Sequence, residues 1–212
     1  DAPTYGTFQY HPSLCPQHRG PSSINWPIAM GKTRTGLSIF WPDDGLDEGP
    51  MMLQKTCRIG PDETLGDVYF KKLFPMGVDA MIEGLELVKA GVIIKHNQRL
   101  EDGSYESWFG KAAAKIDWSK PAADIYNIIR AANPAPGAWT TIDGSELKIY
   151  DSARVDGTGT AGEVVSINED GVTVQAEGGR ILIKRVRPAD GGKTAASEWA
   201  AAAGINSGTK LG

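Results

Sequence analysis

An α/β unit followed by a small, mainly β unit is the fold this sequence predicts, and three observations carry it. Apolar residues alternate in short runs up to about residue 59 and then recur every three to five positions from 61 to 91, which is the change from a strand period to a helix period. Four more short alternating runs lie between residues 146 and 186, spaced as in a small barrel or sandwich. A polar, irregular stretch from 92 to 116 separates the two patterns, and the domains are read as 1–105 and 106–212.

The elements follow in order. TFQYHPSL (7–14) begins as a strand with Phe8 and Tyr10 on one face and Gln9 and His11 on the other, until Pro12 interrupts it. SSINWPIAMG (22–31) suits a short helix, and TGLSIFW (35–41) a buried strand whose apolar run only Ser38 breaks. DDGLDEGP (43–50) is a loop and MMLQKTCRI (51–59) another strand, so His11 and Asp47 both fall at strand ends. Leu65, Val68, Leu73, Met76, Met81, Leu85 and Val88 mark a long helix covering the sheet, with Thr64 or Asp62 as its cap, Gly91 as its stop and Pro75 kinking or dividing it. After the linker, Ser119 caps a second helix with Pro121 in its first turn, ended by Pro134 and Pro136. ELKIYD, GEVVSIN, GVTVQA and RILIKRV are strands, and residues 191–212 hold one short Ala-rich helix at most.

The 212 residues are 41% hydrophobic and 23% charged with a net charge of −4, which suits a globular protein with a sizeable core and argues against a globally basic nucleic-acid binder. No run approaches the roughly 18 apolar residues of a membrane helix, and no secretory pattern opens the chain. A soluble, cytoplasmic protein with no membrane partner is expected. Cys15 and Cys57 are too few and too far apart for a zinc ribbon or a disulfide scaffold. His11, His18 and His96 lack paired ligand spacing, so no metal is expected.

Three side chains near strand ends can move protons or polarise a carbonyl: Gln9, His11 and Asp47. Open α/β sheets bind ligands in the crevice at the carboxyl ends of their strands. A carboxylate beside a histidine orients the imidazole and tunes it for acid-base work, while an amide such as Gln9 donates to a developing oxyanion. A hydrogen-bonded structural histidine is the plainer alternative.

YHPSLCPQHRGPSSINWPI, followed by TGLSIFWPDDGLDEGPMMLQ and later by IDWSKPAADIYNIIRAANPAPGAWT, resembles the folate-dependent formyltransferase family, which includes methionyl-tRNA formyltransferase and the hydrolase domain of 10-formyltetrahydrofolate dehydrogenase. The H-x-S-L-x-P-x-x-R-G segment and the D-x-G-x-D-x-G loop, with Asp47 36 positions after His11, carry the likeness over nearly the whole chain. The resemblance implies the C-terminal half of a Rossmann-like formyltransferase domain followed by an OB-like β-barrel domain. It places His11 and Asp47 at catalytic positions, with Gln9 where transferases usually carry Asn. Ser13, Leu14, Cys15 and Pro16 match the turn whose backbone lies against the folate, and Asp43, Asp44 and Gly45 the loop flanking its pterin. Cys15 replaces a Leu. The family begins with a half-domain that would precede this chain, so the 212 residues alone are expected to bind folate poorly.

The implied donor is 10-formyltetrahydrofolate, with no metal. Transfer of its formyl group to an amine, methionyl-tRNA first, is the leading expectation; hydrolysis is second and an inactive folate- or RNA-binding paralogue third. Arg180, Lys184, Arg185 and Arg187 supply local basic charge for a tRNA, although residues 148–193 hold seven basic and seven acidic side chains. Trp26, Trp41, Trp118 and Trp139 are read as packing residues, and Arg19 as a brace for its own turn.

Overall fold

The computed structural model describes residues 3–212. These fall into two compact units: the residues up to Ile28 with Lys32–Trp108, and Ala29–Gly31 with Phe109–Gly212. No helix of the described residues is long and apolar enough to cross a membrane.

In the first unit, β1 (Gln9–His11), β2 (Arg34–Phe40) and β3 (Met51–Arg58) form an antiparallel sheet in that order, and α1 (Asn25–Ala29) starts within it. The two-residue period sorts the side chains. Leu37, Ile39, Trp41 and Met52 cluster with Ala80 of the long helix, and Phe8 and Tyr10 pack against them, which leaves Gln9 and His11 for the opposite face of β1. Phe8 and Trp41 meet edge to face, centroids 5.9 Å apart. At Gly77 an added Cβ would stand 2.7 Å from the Tyr10 ring, so glycine sets how closely helix and sheet approach.

The long helical segment comprises α2 (Leu65–Val68), a π-helical turn (Tyr69–Leu73) and α3 (Phe74–Lys89). Thr64 caps it in a reciprocal capping box with Asp67, as its position predicts. Pro75 lies in the first turn of α3, just beyond the π turn, where its missing N–H is accommodated without ending the helix.

The strands are antiparallel, and the β2–β3 loop that carries Asp47 reaches back to His11. One sequence reading changes here. Residues 92–108 are built into the first unit: Met51 and His96 exchange backbone bonds at 2.7 and 2.9 Å, and Arg19 N donates to Ser104 O at 3.1 Å while Glu106 N donates to Arg19 O at 3.1 Å.

The second unit holds α4 (Ala122–Ala131), β4 (Ala138–Ile142), β5 (Ser145–Val155), β6 (Val164–Asn168), β7 (Gly171–Ala176), β8 (Gly179–Pro188), β9 (Thr194–Ala195) and α5 (Ala196–Ala202). Ser119 does not cap α4; its N and Oγ bond Asp117 Oδ1, Pro121 stands at the cap, and Ala122 N donates to Glu177 O at 2.9 Å. The sheet order is β4-β5-β8-β7-β6, with β9 on β8. Strand β4 escaped the sequence reading although Asp143 (φ 47°) and Gly144 (φ 80°) make the left-handed two-residue turn that Asp-Gly specifies. The ladder does not close into a barrel by strand pairing. The C-terminal segment spans the gap: Val164 N donates to Thr209 O, Leu211 N to Gly162 O, and Gly212 N to Thr141 O. Gln175, buried in β7, donates to the carbonyls of Ala176 and Gly179, each at 2.8 Å, and accepts from Arg180 Nε at 2.9 Å.

Candidate active site

Pro12 ends β1 directly after His11, and a tight turn follows. Ser13 N donates to His11 O at 2.9 Å, Gln17 N to Leu14 O at 3.0 Å, and Ser13 Oγ to Gln17 O at 2.8 Å; the Cys15–Pro16 peptide is cis. Ser38 fastens this turn to the sheet. Its hydroxyl accepts from Cys15 N at 3.0 Å and from Gln54 Nε2 at 2.9 Å and donates to Ser13 O at 2.7 Å; Gln54 Nε2 also donates to Cys15 O at 2.7 Å. A lone serine in a buried strand needs such partners. Gly36 makes room: a Cβ there would lie 2.5 Å from Leu14 Cδ2 and 2.1 Å from Lys55 O.

His11 is 6% exposed and Asp47 9%. The imidazole Nε2 lies 3.2 Å from His18 O, and Nδ1 lies 3.6 Å from Asp47 Oδ2. Because a carbonyl oxygen only accepts, Nε2 is the donor. Asp47 is held in the left-handed region, φ 57°, with Oδ2 accepting from Gly20 N at 2.9 Å and its carbonyl accepting from Gln98 Nε2 at 3.0 Å. Gln98 Nε2 also donates to Gly49 O at 2.8 Å, and Arg19 pairs with Glu48. His18 is left-handed too, φ 56°. Each such conformation costs on the order of 1–3 kcal/mol in a non-glycine residue, offset here by the bonds that hold the two loops together.

The structure thus brings His11 and Asp47 together and adds residues the sequence reading missed: Ser38, Gln54, Gln98, Ser104 and Glu106, with His18 raised from a bystander. Ser38 was readable as the one polar residue in an apolar strand. Gln98, Ser104 and Glu106 had no local signal. Gln9 is exposed, on the same face of β1 as His11, and bonds neither His11 nor Asp47. Ser13 and Cys15 are buried, Leu14 and Pro16 half-buried, and the carbonyls of residues 13 to 16 each accept a bond from within the unit. Burial pushes the Cys15 thiol up, more than Ser13 and Ser38 draw it down, which marks a packing role. Asp43, Asp44 and Gly45 are exposed, and Asp43 Oδ1 accepts from Gly45 N at 3.0 Å.

Comparison with known proteins identifies the family. Residues 1–84 match the formyl transferase family model, and residues 110–204 match that of the formyl transferase C-terminal domain. Mitochondrial 10-formyltetrahydrofolate dehydrogenase of Mus musculus is 35% identical over 94% of this chain, which spans 23% of that protein's length. Methionyl-tRNA formyltransferase of Geotalea daltonii is 35% identical over 100% of the chain and 68% of its own length. Among solved structures, HypX from Aquifex aeolicus in complex with tetrahydrofolic acid superposes with a TM-score of 0.75 at 19% identity, covering 92% of this chain and 34% of that one, a likeness of fold. The sequence relatives and both domain matches place the chain in the formyltransferase family.

Proposed function

We propose that the chain carries the acyl-transfer centre of an enzyme that takes a formyl group from N10 of 10-formyltetrahydrofolate and passes it to an amine, with methionyl-tRNA as acceptor. Residues 1–105 hold the catalytic part and residues 106–212 the C-terminal, acceptor-facing domain. The observation that carries this reading is the buried His11–Asp47 pair, 3.6 Å apart, beside a turn of the family's pattern.

Attack of the amine nitrogen on the formyl carbon forms the new C–N bond and a tetrahedral oxyanion, and collapse breaks the bond to N10. The amine gives up a proton and N10 gains one. Asp47 takes the first and returns it to N10, directly or through a water, while protonated His11, through the Nδ1–H that His18 O does not engage, and the Gln9 amide stabilise the oxyanion with directed hydrogen bonds. The folate lies against the turn of Ser13, Leu14, Cys15 and Pro16, with its pterin beside Asp43, Asp44 and Gly45. Lys184, Arg185 and Arg187, all exposed on β8, supply phosphate contacts for a tRNA; Arg180 is engaged by Gln175 and Thr158 O.

Hydrolysis is the second reading, favoured by the dehydrogenase relative. In the intact protein, His11→Ala removes turnover and leaves folate affinity largely unchanged; full turnover in that variant refutes the reading. Product assays with and without charged initiator tRNA separate the acceptors. Formyl-methionyl-tRNA formation supports transfer, and formate release at equal rates in both overturns it in favour of water.

A further inference from the structure

The carbonyl that receives the His11 Nε2 proton belongs to His18, and its direction depends on a backbone conformation that a residue with a β-carbon holds only under constraint, φ 56°. The constraint comes from one short segment 88 residues further along. Ser104 Oγ accepts from His18 N at 3.0 Å, and Glu106 Oε2 lies 3.1 Å from His18 Nδ1. The His18 and Glu106 side chains are 10% and 13% exposed. A carboxylate only accepts, so His18 Nδ1 donates.

We infer that Glu106, acting through His18, is a positioning residue for His11: it holds the carbonyl that fixes the tautomer and the ring orientation of the proposed catalytic imidazole. The inference rests on the role given to His11 above. The backbone bonds of Ser104 to Pro16 and Arg19, and of Glu106 to Arg19, keep the turn seated without the carboxylate. What the carboxylate adds is the grip on the His18 ring, and with it on the peptide that follows. Its loss leaves the bonds from His18 N to Ser104 Oγ and from Arg19 N, on the carbonyl's own peptide unit, to Ser104 O as the hold on the His18 carbonyl, which loosens its aim and lets the His11 proton populate Nδ1, toward Asp47.

Nitrogen-15 spectra of histidine-labelled intact protein, recorded at about pH 8 where ordinary imidazoles are neutral, read the tautomer. The expected wild-type signal for His11 is a protonated Nε2. Glu106→Ala gives a mixture of tautomers and a kcat reduced about tenfold with KM for the formyl-folate within about twofold. Glu106→Gln, which keeps an acceptor for His18, restores both. If the alanine variant does not fold, Glu106→Asp, one methylene short, is expected to show the same mixing. An unaltered His11 spectrum in folded Glu106→Ala or Glu106→Asp overturns the inference, as does a raised KM with kcat intact. A wild-type protein without turnover, in which Glu106→Ala still shifts the His11 signal, refutes the functional reading and leaves the positioning in place.

Discussion

Replacing Ser38 by Ala tests whether the turn after β1 is held to the sheet as described. The hydroxyl has one proton and two lone pairs, and all three are used, on Ser13 O, Cys15 N and Gln54 Nε2. Ser38 is completely buried, so alanine leaves almost no cavity and the effect isolates hydrogen bonding. Gln54 keeps its bond to Cys15 O, but Cys15 N and Ser13 O lose their partner. Each orphaned buried group costs about 1–3 kcal/mol, so the loss is about 2–6 kcal/mol with the turn in place. If the turn instead lifts to reach water, the unfolding penalty shrinks and the Cys15 amide exchanges faster. Urea unfolding of the intact protein, with hydrogen exchange at Cys15, covers both routes. A change below about 0.5 kcal/mol, within the range of neutral surface substitutions, together with unaltered Cys15 protection, refutes the reasoning.

Two further outcomes follow from the same contacts. Gln98→Ala strips the donor from the carbonyls of Asp47 and Gly49 and is expected to cost about 1–3 kcal/mol and to lower kcat by loosening Asp47; unfolding and turnover assays check the two effects separately. Asp67, drawn down to about 2 from 3.8 chiefly by the hydrogen bond from Lys71 and then by its bonds to Thr64, stabilises the fold in full above about pH 4. That contribution is lost as pH falls through about 2, so Asp67→Asn flattens the acid limb of a stability-against-pH curve, and an unchanged limb would count against the capping box as a source of stability.

Much of the site was legible because its signals are local. A proline after His11 ends a strand whatever else the chain does, alternation puts Gln9 and His11 on one face, and Thr64 caps the helix that covers the other. Where local rules compete, the reading slipped. Ser119 looked like a cap, yet Asp117 two residues back binds it first, and the Asp-Gly turn that defines β4 went unused.

Local pattern in the sequence thus marked most of the strands and helices and put Gln9 and His11 on one face of β1, and the family resemblance grouped His11 with Asp47. Only the tertiary structure decided how they meet: an antiparallel sheet with the β2–β3 loop turned back, two left-handed residues, and a polar stretch that clamps the first turn through Gln98, Ser104 and Glu106. Such contacts join residues some 50 to 90 positions apart. No local period encodes them, because a side chain's hydrogen-bond partner is chosen by what folding brings within reach of it.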